Sequence, residues 1–274
     1  MPTPTISLSS SARSNLLALS DTTSLLQRTQ NRLATGKKVN SAVDNATAYF
    51  NSIGFLNRAG DFTKAKDNIN NAIQVLTAAS NAIDAITSVV NQLQGITVSA
   101  LNTTVASERT AFASQFNALL TQINSLVQDA VFNGVNLLSG TGNLTVNFNE
   151  STAIELTVAS VSTGAQIGGL NITAALTGFS ADSQINLAAA DLTAALTALR
   201  NTGASLGNNA TLIQTRKDFT STLINTLQVA SDNLVLADQN EEGANLQSLQ
   251  ARSQLGVVSL GISGQQLQAI LRLF

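Results

Sequence analysis

"INNAIQVLTAASNAIDAITSVVNQLQGITVSAL" fills residues 69–101, and the spacing of its apolar residues decides the fold class. One seven-residue series reads Ile69, Leu76, Ile83, Val90. A second, offset by three, reads Ala72, Ala79, Ile86, Leu93, Ala100. Together they make a single stripe, the a and d seam by which helices pack coiled-coil fashion on one another. The pattern predicts a helix from about Phe62 to Leu101. Both prolines lie within the first four residues, so none interrupts a later helix.

The pattern recurs on either side. Phe112, Leu119 and Leu126, with Phe116, Ile123 and Ala130, predict a second helix ending near "FNGVNLLSG" (residues 132–140), where Gly134 suits a left-handed C-terminal position. Ala12, Leu16, Leu19, Leu26 and Leu33 repeat it more loosely. Near the far end it returns as Leu206, Ile213, Leu223, Leu227 and Leu234, then as Leu246, Leu249, Leu260, Leu267 and Ile270. Between Gly140 and about Asp182 the period drops to two. Leu144, Val146, Phe148 and then Ile154, Leu156, Val158 alternate with polar residues as half-buried strands do, with turns expected at Asn149 to Thr152 and at Gly168–Gly169. The expected fold is mainly α: a long antiparallel coiled-coil-like helical rod formed by N- and C-terminal arms, with a small β-rich insert in the middle of the chain.

Composition narrows the function. Of 274 residues, 44% are hydrophobic and only 11% charged, against about 25% charged in a typical soluble domain. Asn, Gln, Ser and Thr must cover the surface. Such groups can be buried in an interface at less cost than charges, given hydrogen-bond partners, which suits packing against copies of the same chain. Cysteine, histidine and tryptophan are absent. That excludes disulfides, thiolate metal sites and every catalytic scheme using His or Cys. No nucleophile–base or carboxylate constellation stands out, so no catalytic residue, cofactor or metal is expected and the chain does not read as an enzyme. Asp238, Glu241 and Glu242 read as a solvated helix start that complements the dipole.

Charge is unevenly spread. Arg13, Arg28, Arg32, Lys37, Lys38, Arg58, Lys64 and Lys66 face only Asp21, Asp44 and Asp61 over residues 1–66, while Asp218, Asp232, Asp238, Glu241 and Glu242 cluster near the other end. The basic residues are widely spaced and lack interleaved aromatics. Complementarity between the two ends is therefore expected rather than nucleic-acid binding. Met1 to Ser11 is rich in Ser and Thr, so no cleavable secretory signal is expected, and no bilayer-spanning run is expected either.

"RLATGKKVNSAVDNA" (residues 32–46) links the first two helical patterns. A phosphate-binding loop needs a leading glycine and a hydroxyl after the lysine, and both are missing. Capping explains the stretch. Gly36 can take the positive φ that ends a helix, Lys37 and Lys38 then sit near its last carbonyls, and Ser41 to Asp44 read as a capping box. Gly36, Ser41 and Asp44 are the candidate joint between two helical levels.

The same stretch resembles the flagellin signature. "FNGVNLLSG" is similar to the segment closing that family's N-terminal arm, and "DNLVLADQNEEGANLQSLQARSQLGVVSLGISGQQLQAILRLF" (residues 232–274) is similar to its C-terminal arm. The resemblance implies a structural subunit that polymerises with itself into the bacterial flagellar filament for swimming motility, secreted unfolded through the flagellar type III export apparatus. It implies inner-tube helices at 1–40 and 236–274, outer-tube helices at 41–140 and 191–235, and a short variable β insert at 141–190. The implied partners are an export chaperone, the filament cap and the hook–filament junction proteins. A hook–filament junction protein of the same superfamily is the alternative. On this reading Leu16, Leu19, Leu26, Leu33, Leu260, Leu267, Ile270, Leu271 and Phe274 form the apolar seam for polymerisation. Members recognised by the innate immune toll-like receptor carry Leu-Gln-Arg-Val-Arg-Glu-Leu, whereas residues 90–96 here read Val-Asn-Gln-Leu-Gln-Gly-Ile. Weak or no recognition is expected.

Overall fold

The computed structural model describes residues 10–148, 155–159, 162, 164–165 and 169–271. Along the chain come α1 (Ser10–Thr35), α2 (Ala46–Leu101), α3 (Ala106–Asp129), β1 (Leu144–Asn147), β2 (Glu155–Val158), α4 (Asp182–Val235) and α5 (Gln239–Leu271). The fold is mainly helical, with one small sheet. Two units form: a middle unit, Arg58–Asn225, and an end unit that joins Met1–Asn57 to Thr226–Phe274.

The middle unit is built on the heptad seam of α2. Every seam residue from Ile69 to Ala100 is buried, none more than 5% exposed. Partners come from α3 and α4, including Phe116, Ile123, Leu192, Leu206 and Ile213 in one continuous cluster. Gly203 on α4 lies close enough to α2 that a Cβ there would sit 3.8 Å from Ile83. On α3 the central positions are Ala113, Leu120 and Val127, while the expected Phe112, Leu119 and Leu126 are half-buried beside them. A seven-residue series offset by one residue rotates about 100° around a helix, enough to move from seam to flank. An 18-residue window of α2 reaches mean hydropathy 1.3 and could cross a bilayer by length and composition, with 33% of the window buried. The seam residues from Ile69 to Ala100 are committed instead to the core.

The insert packs on the same core. β1 and β2 are antiparallel, with Leu144 opposite Val158 and Val146 opposite Leu156. Leu144, Val146, Phe148 and Val158 are buried, as the alternation requires. The Arg216 guanidinium lies over the Phe148 ring at 5.4 Å. Asparagines of α3 then hold the irregular segment that follows. Asn117 both donates to Ala175 O (3.3 Å) and accepts from Ala175 N (2.9 Å), and Asn124 accepts from Ala165 N (3.0 Å). Ile154, the turn at Asn149 to Thr152, and Gly168 lie outside the described residues. Gly134 is not a helix cap. α3 stops at Asp129, and Asn133 (φ 50°) with Gly134 (φ 79°) makes a two-residue turn closed by mutual backbone bonds between Phe132 and Val135, the conformation an Asn-Gly pair favours.

In the end unit α1 and α5 pack antiparallel: Asn15 meets Ser259 and Arg32 meets Glu242. α1 ends on Gly36 at φ 70°. α2 begins at Ala46, further back than Phe62, and its cap is Asn45, whose Oδ1 accepts from Ala48 N at 3.0 Å. The Ser41–Asp44 stretch is thus not the helix cap expected of it. Asn45 is placed to satisfy the free N–H of the first turn, leaving the upstream pair to form its own turn. α5 starts from Asp238, whose Oδ1 accepts from Asn240 N (2.9 Å) and Glu241 N (3.3 Å).

Replacing Ile86, fully buried in the seam, by alanine leaves a cavity worth about 2–5 kcal/mol. Chemical denaturation is expected to show a lowered midpoint with an unchanged slope, whereas Thr77→Ala on the exposed side of the same helix shifts stability by no more than about 0.5 kcal/mol.

Candidate assembly surface

Two short connections of the end unit are stitched together by main chain. Lys38 N and Val39 N donate to Val235 O (2.7 and 3.3 Å), and Ala237 N donates to Gly36 O (2.9 Å). Lys37 and Leu236 thereby form an antiparallel bridge. Val39 and Val235, both buried, fill the space beneath it. Lys38 Nζ reaches Asn233 O (3.3 Å) at the C-terminus of α4, where the helix dipole favours a cation. Lys38 thus serves a helix end, but it is that of α4. Asp44 Oδ2 accepts from the N–H groups of Asn40 and Ser41 (both 3.0 Å) and from the Ser41 hydroxyl (3.2 Å). Gly36 thus takes part in the clasp, while Ser41 and Asp44 form the turn that follows it.

One turn inside α1, Arg32 pairs with Glu242 at 2.8 Å. Glu242 is 7% exposed, so it is buried rather than solvated. The pair satisfies a carboxylate that would otherwise be costly to bury. Among the described residues no group of His, Cys, Asp or Glu is arranged to hold a metal ion.

Between α1 and α5 the seam is narrow and mixes leucines with small and polar residues. It runs through Ala12, Asn15, Leu19, Thr22, Leu26, Thr29 and Leu33 on α1, and Leu246, Leu249, Ser253, Gly256 and Ser259 on α5. Leu19, Leu26, Leu33 and Leu260 are half-buried, and Leu16 is 52% exposed. Leu16 stands one residue past Asn15 and about 100° around the helix from it, on the flank of the stripe that starts at Ala12. The side chains of Leu267, Ile270 and Leu271, and all of Phe274, lie outside the described residues. Sequence patterning missed Leu17, Leu25, Leu255, Val257, Val258 and Ile262, all exposed. The signal was available in their residue type: large aliphatic side chains outside the seam of a helix have no internal partner.

The chain matches the family described as bacterial flagellin N-terminal helical region over residues 6–143. It is 31% identical to Flagellin FljM of Caulobacter vibrioides over 270 residues, 98% of each chain. It is 30% identical to Flagellin of Brucella melitensis over 274 residues, 97% of each. Flagellin FljN of Caulobacter vibrioides is 32% identical over 271 residues, again 98% of each.

Acid should loosen the turn that follows the clasp. The Asn40 N–H above all, then that of Ser41, holds the Asp44 carboxyl below the 3.8 of a free aspartate. A depressed folded-state value means its contribution is present above 3.8 and lost as pH falls through that lower value. Amide resonances of Asn40 and Ser41 are expected to shift with a midpoint below 3.8, and Asp44→Asn should abolish that transition.

Proposed function

The chain belongs to the bacterial flagellin family, whose members are structural subunits of the flagellar filament, and we propose that it polymerises through the outward faces of α1 and α5. The supporting observation is the exposure of Leu16, Leu17, Leu25, Leu255, Val257, Val258 and Ile262, each between 38% and 69%. At about 1.5–3 kcal/mol for full burial of such a side chain, covering these half-exposed groups is worth on the order of 5–10 kcal/mol per subunit before ordering costs. The contacts are head-to-tail, because only a non-closing interface builds an open helical polymer.

On this proposal residues 1–40 and 236–274 line an inner tube, 41–140 and 191–235 form the surrounding tube, and 141–190 is the variable insert. The polymer stands outside the cell as the swimming filament, after unfolded export by the flagellar type III apparatus, with a chaperone holding the C-terminal helix beforehand. The cap and the hook–filament junction proteins are its end partners. The terminal helices have too little mutual core to be stable alone, so they are unfolded in the isolated subunit and order when neighbours enclose them. Leu267, Ile270, Leu271 and Phe274 join the same apolar surface.

Electron microscopy after seeding tests the proposal. Deleting residues 260–274 is expected to leave a helical middle unit that fails to polymerise, and ordinary filaments from the shortened chain would contradict it. Sheared cells should yield long homopolymers; a few copies per appendage would mark the junction protein instead. For receptor recognition, Val90 and Leu93 are buried while Asn91 and Gln92 present uncharged amides. A reporter-cell response well below that of an enterobacterial flagellin is expected, and an equal response would refute it.

A further inference from the structure

The seam leucines of α1, Leu19, Leu26 and Leu33, recur every seven residues, so they do little to choose one alignment over another. Seven-residue repeats slide past one another a heptad at a time with the same face still presented. Something other than hydrophobicity must set the offset, and two adjoining contacts do so. Leu19 projects at Gly256: a Cβ built on that glycine would lie 3.0 Å from Leu19 Cδ1. One turn away, Asn15 Nδ2 donates to Ser259 Oγ at 3.0 Å and to Ser263 Oγ at 3.4 Å. The Leu19 side chain meets a residue whose missing Cβ leaves room for it, and an amide meets two hydroxyls.

We propose that Leu19 with Gly256, and Asn15 with Ser259 and Ser263, form a register key that fixes the antiparallel offset of α1 against α5. The proposal rests on the polymerisation reading, and adds what sets the spacing of the apolar patches offered to neighbouring subunits. A slip of one heptad puts Ser263 or Leu249 opposite Leu19 in place of Gly256, and Leu249 or Val235 opposite Arg32 in place of Glu242. Each slip costs the close fit and a buried ion pair at once. It also displaces the exposed residues of one helix against the other by about 10 Å at 1.5 Å per residue, which ruins a repeating lattice contact. A buried polar residue fixing the alignment of paired helices has precedent in coiled coils.

The chain contains no cysteine, so introduced pairs report register cleanly. Thr22→Cys with Ser253→Cys reads the observed alignment, and Thr22→Cys with Leu246→Cys or Leu260→Cys reads the two slipped ones. The full-length protein is oxidised before and after seeding. Intrachain closure is read as faster migration on a non-reducing gel, and filaments are counted by microscopy. With the key intact only the 22/253 pair should close once seeding has ordered the terminal helices. Gly256→Leu should lower that closure at least tenfold in favour of a slipped pair and abolish ordered filaments. The exchange Leu19→Ala with Gly256→Leu, which moves the bulk to the other helix, should restore both; a mere loss of helix stability would not be rescued. Unchanged 22/253 closure in Gly256→Leu, no rescue by the exchange, or closure of no pair in any sample overturns the key. Closure of 22/253 without filaments from otherwise unaltered protein leaves the key standing and removes the polymerisation reading.

Discussion

Between α1 and α5 leucines are interleaved with small and polar residues, and that constraint governs the end unit. Its seam is held by a leucine against a glycine, an asparagine against two serines, and an arginine against a buried glutamate. Each contact is specific in direction and modest in strength, since a net hydrogen bond is worth about 1 kcal/mol and charge-assisted ones about twice that. Leu16, Leu17, Leu25, Leu255, Val257, Val258 and Ile262 are left facing outward. The middle unit has the opposite arrangement, with fully buried Ile69, Leu76, Ile86, Leu93, Phe116, Ile123 and Leu192 closing on one another. One unit satisfies itself; the other is finished by company.

Surface chemistry follows from the scarcity of charge. Many of the threonines and serines on α2, α3 and α4 turn their hydroxyls back onto the carbonyl one turn earlier, as Thr77 does to Ile73, Thr110 to Ala106 and Thr193 to Ala189. Their donors are satisfied within the helix, so covering such a surface strands few polar groups. Some of the few charges sit where direction matters. Arg32 meets Glu242, Arg109 meets Asp182, and Lys38 meets the end of α4.

The heptad seam of α2 was legible because an unbroken run of Ile, Leu, Val and Ala at period 3.5 has one physical meaning. The alternation through Leu144, Val146 and Phe148 was equally plain. Offsets of one residue were not: Phe112, Leu119 and Leu126 mimic a seam as well as Ala113, Leu120 and Val127 define one, and only packing decides between them. The joint misled for a related reason. Ser41 and Asp44 carry the right groups at the right spacing for a cap, yet the carboxylate folds back on Asn40 and Ser41 while Asn45, with an equally suitable side chain, caps the helix. The exposed residues Leu17, Leu255 and Val257 were unreadable as a set, since a sequence shows which face each occupies only once the seam is known.

The clasp that joins Gly36–Val39 to Val235–Ala237 is held mainly by peptide groups. Main-chain donors and acceptors are indifferent to the identity of the residues that flank them, so long as no proline removes an N–H and position 36 accepts a positive φ. Lys37 and Leu236 can therefore drift through many substitutions with the stitch intact. A lineage that diverges widely in its side chains can keep this fastening unaltered, and the places where change is forbidden shrink to a glycine, two small buried valines and the absence of one ring.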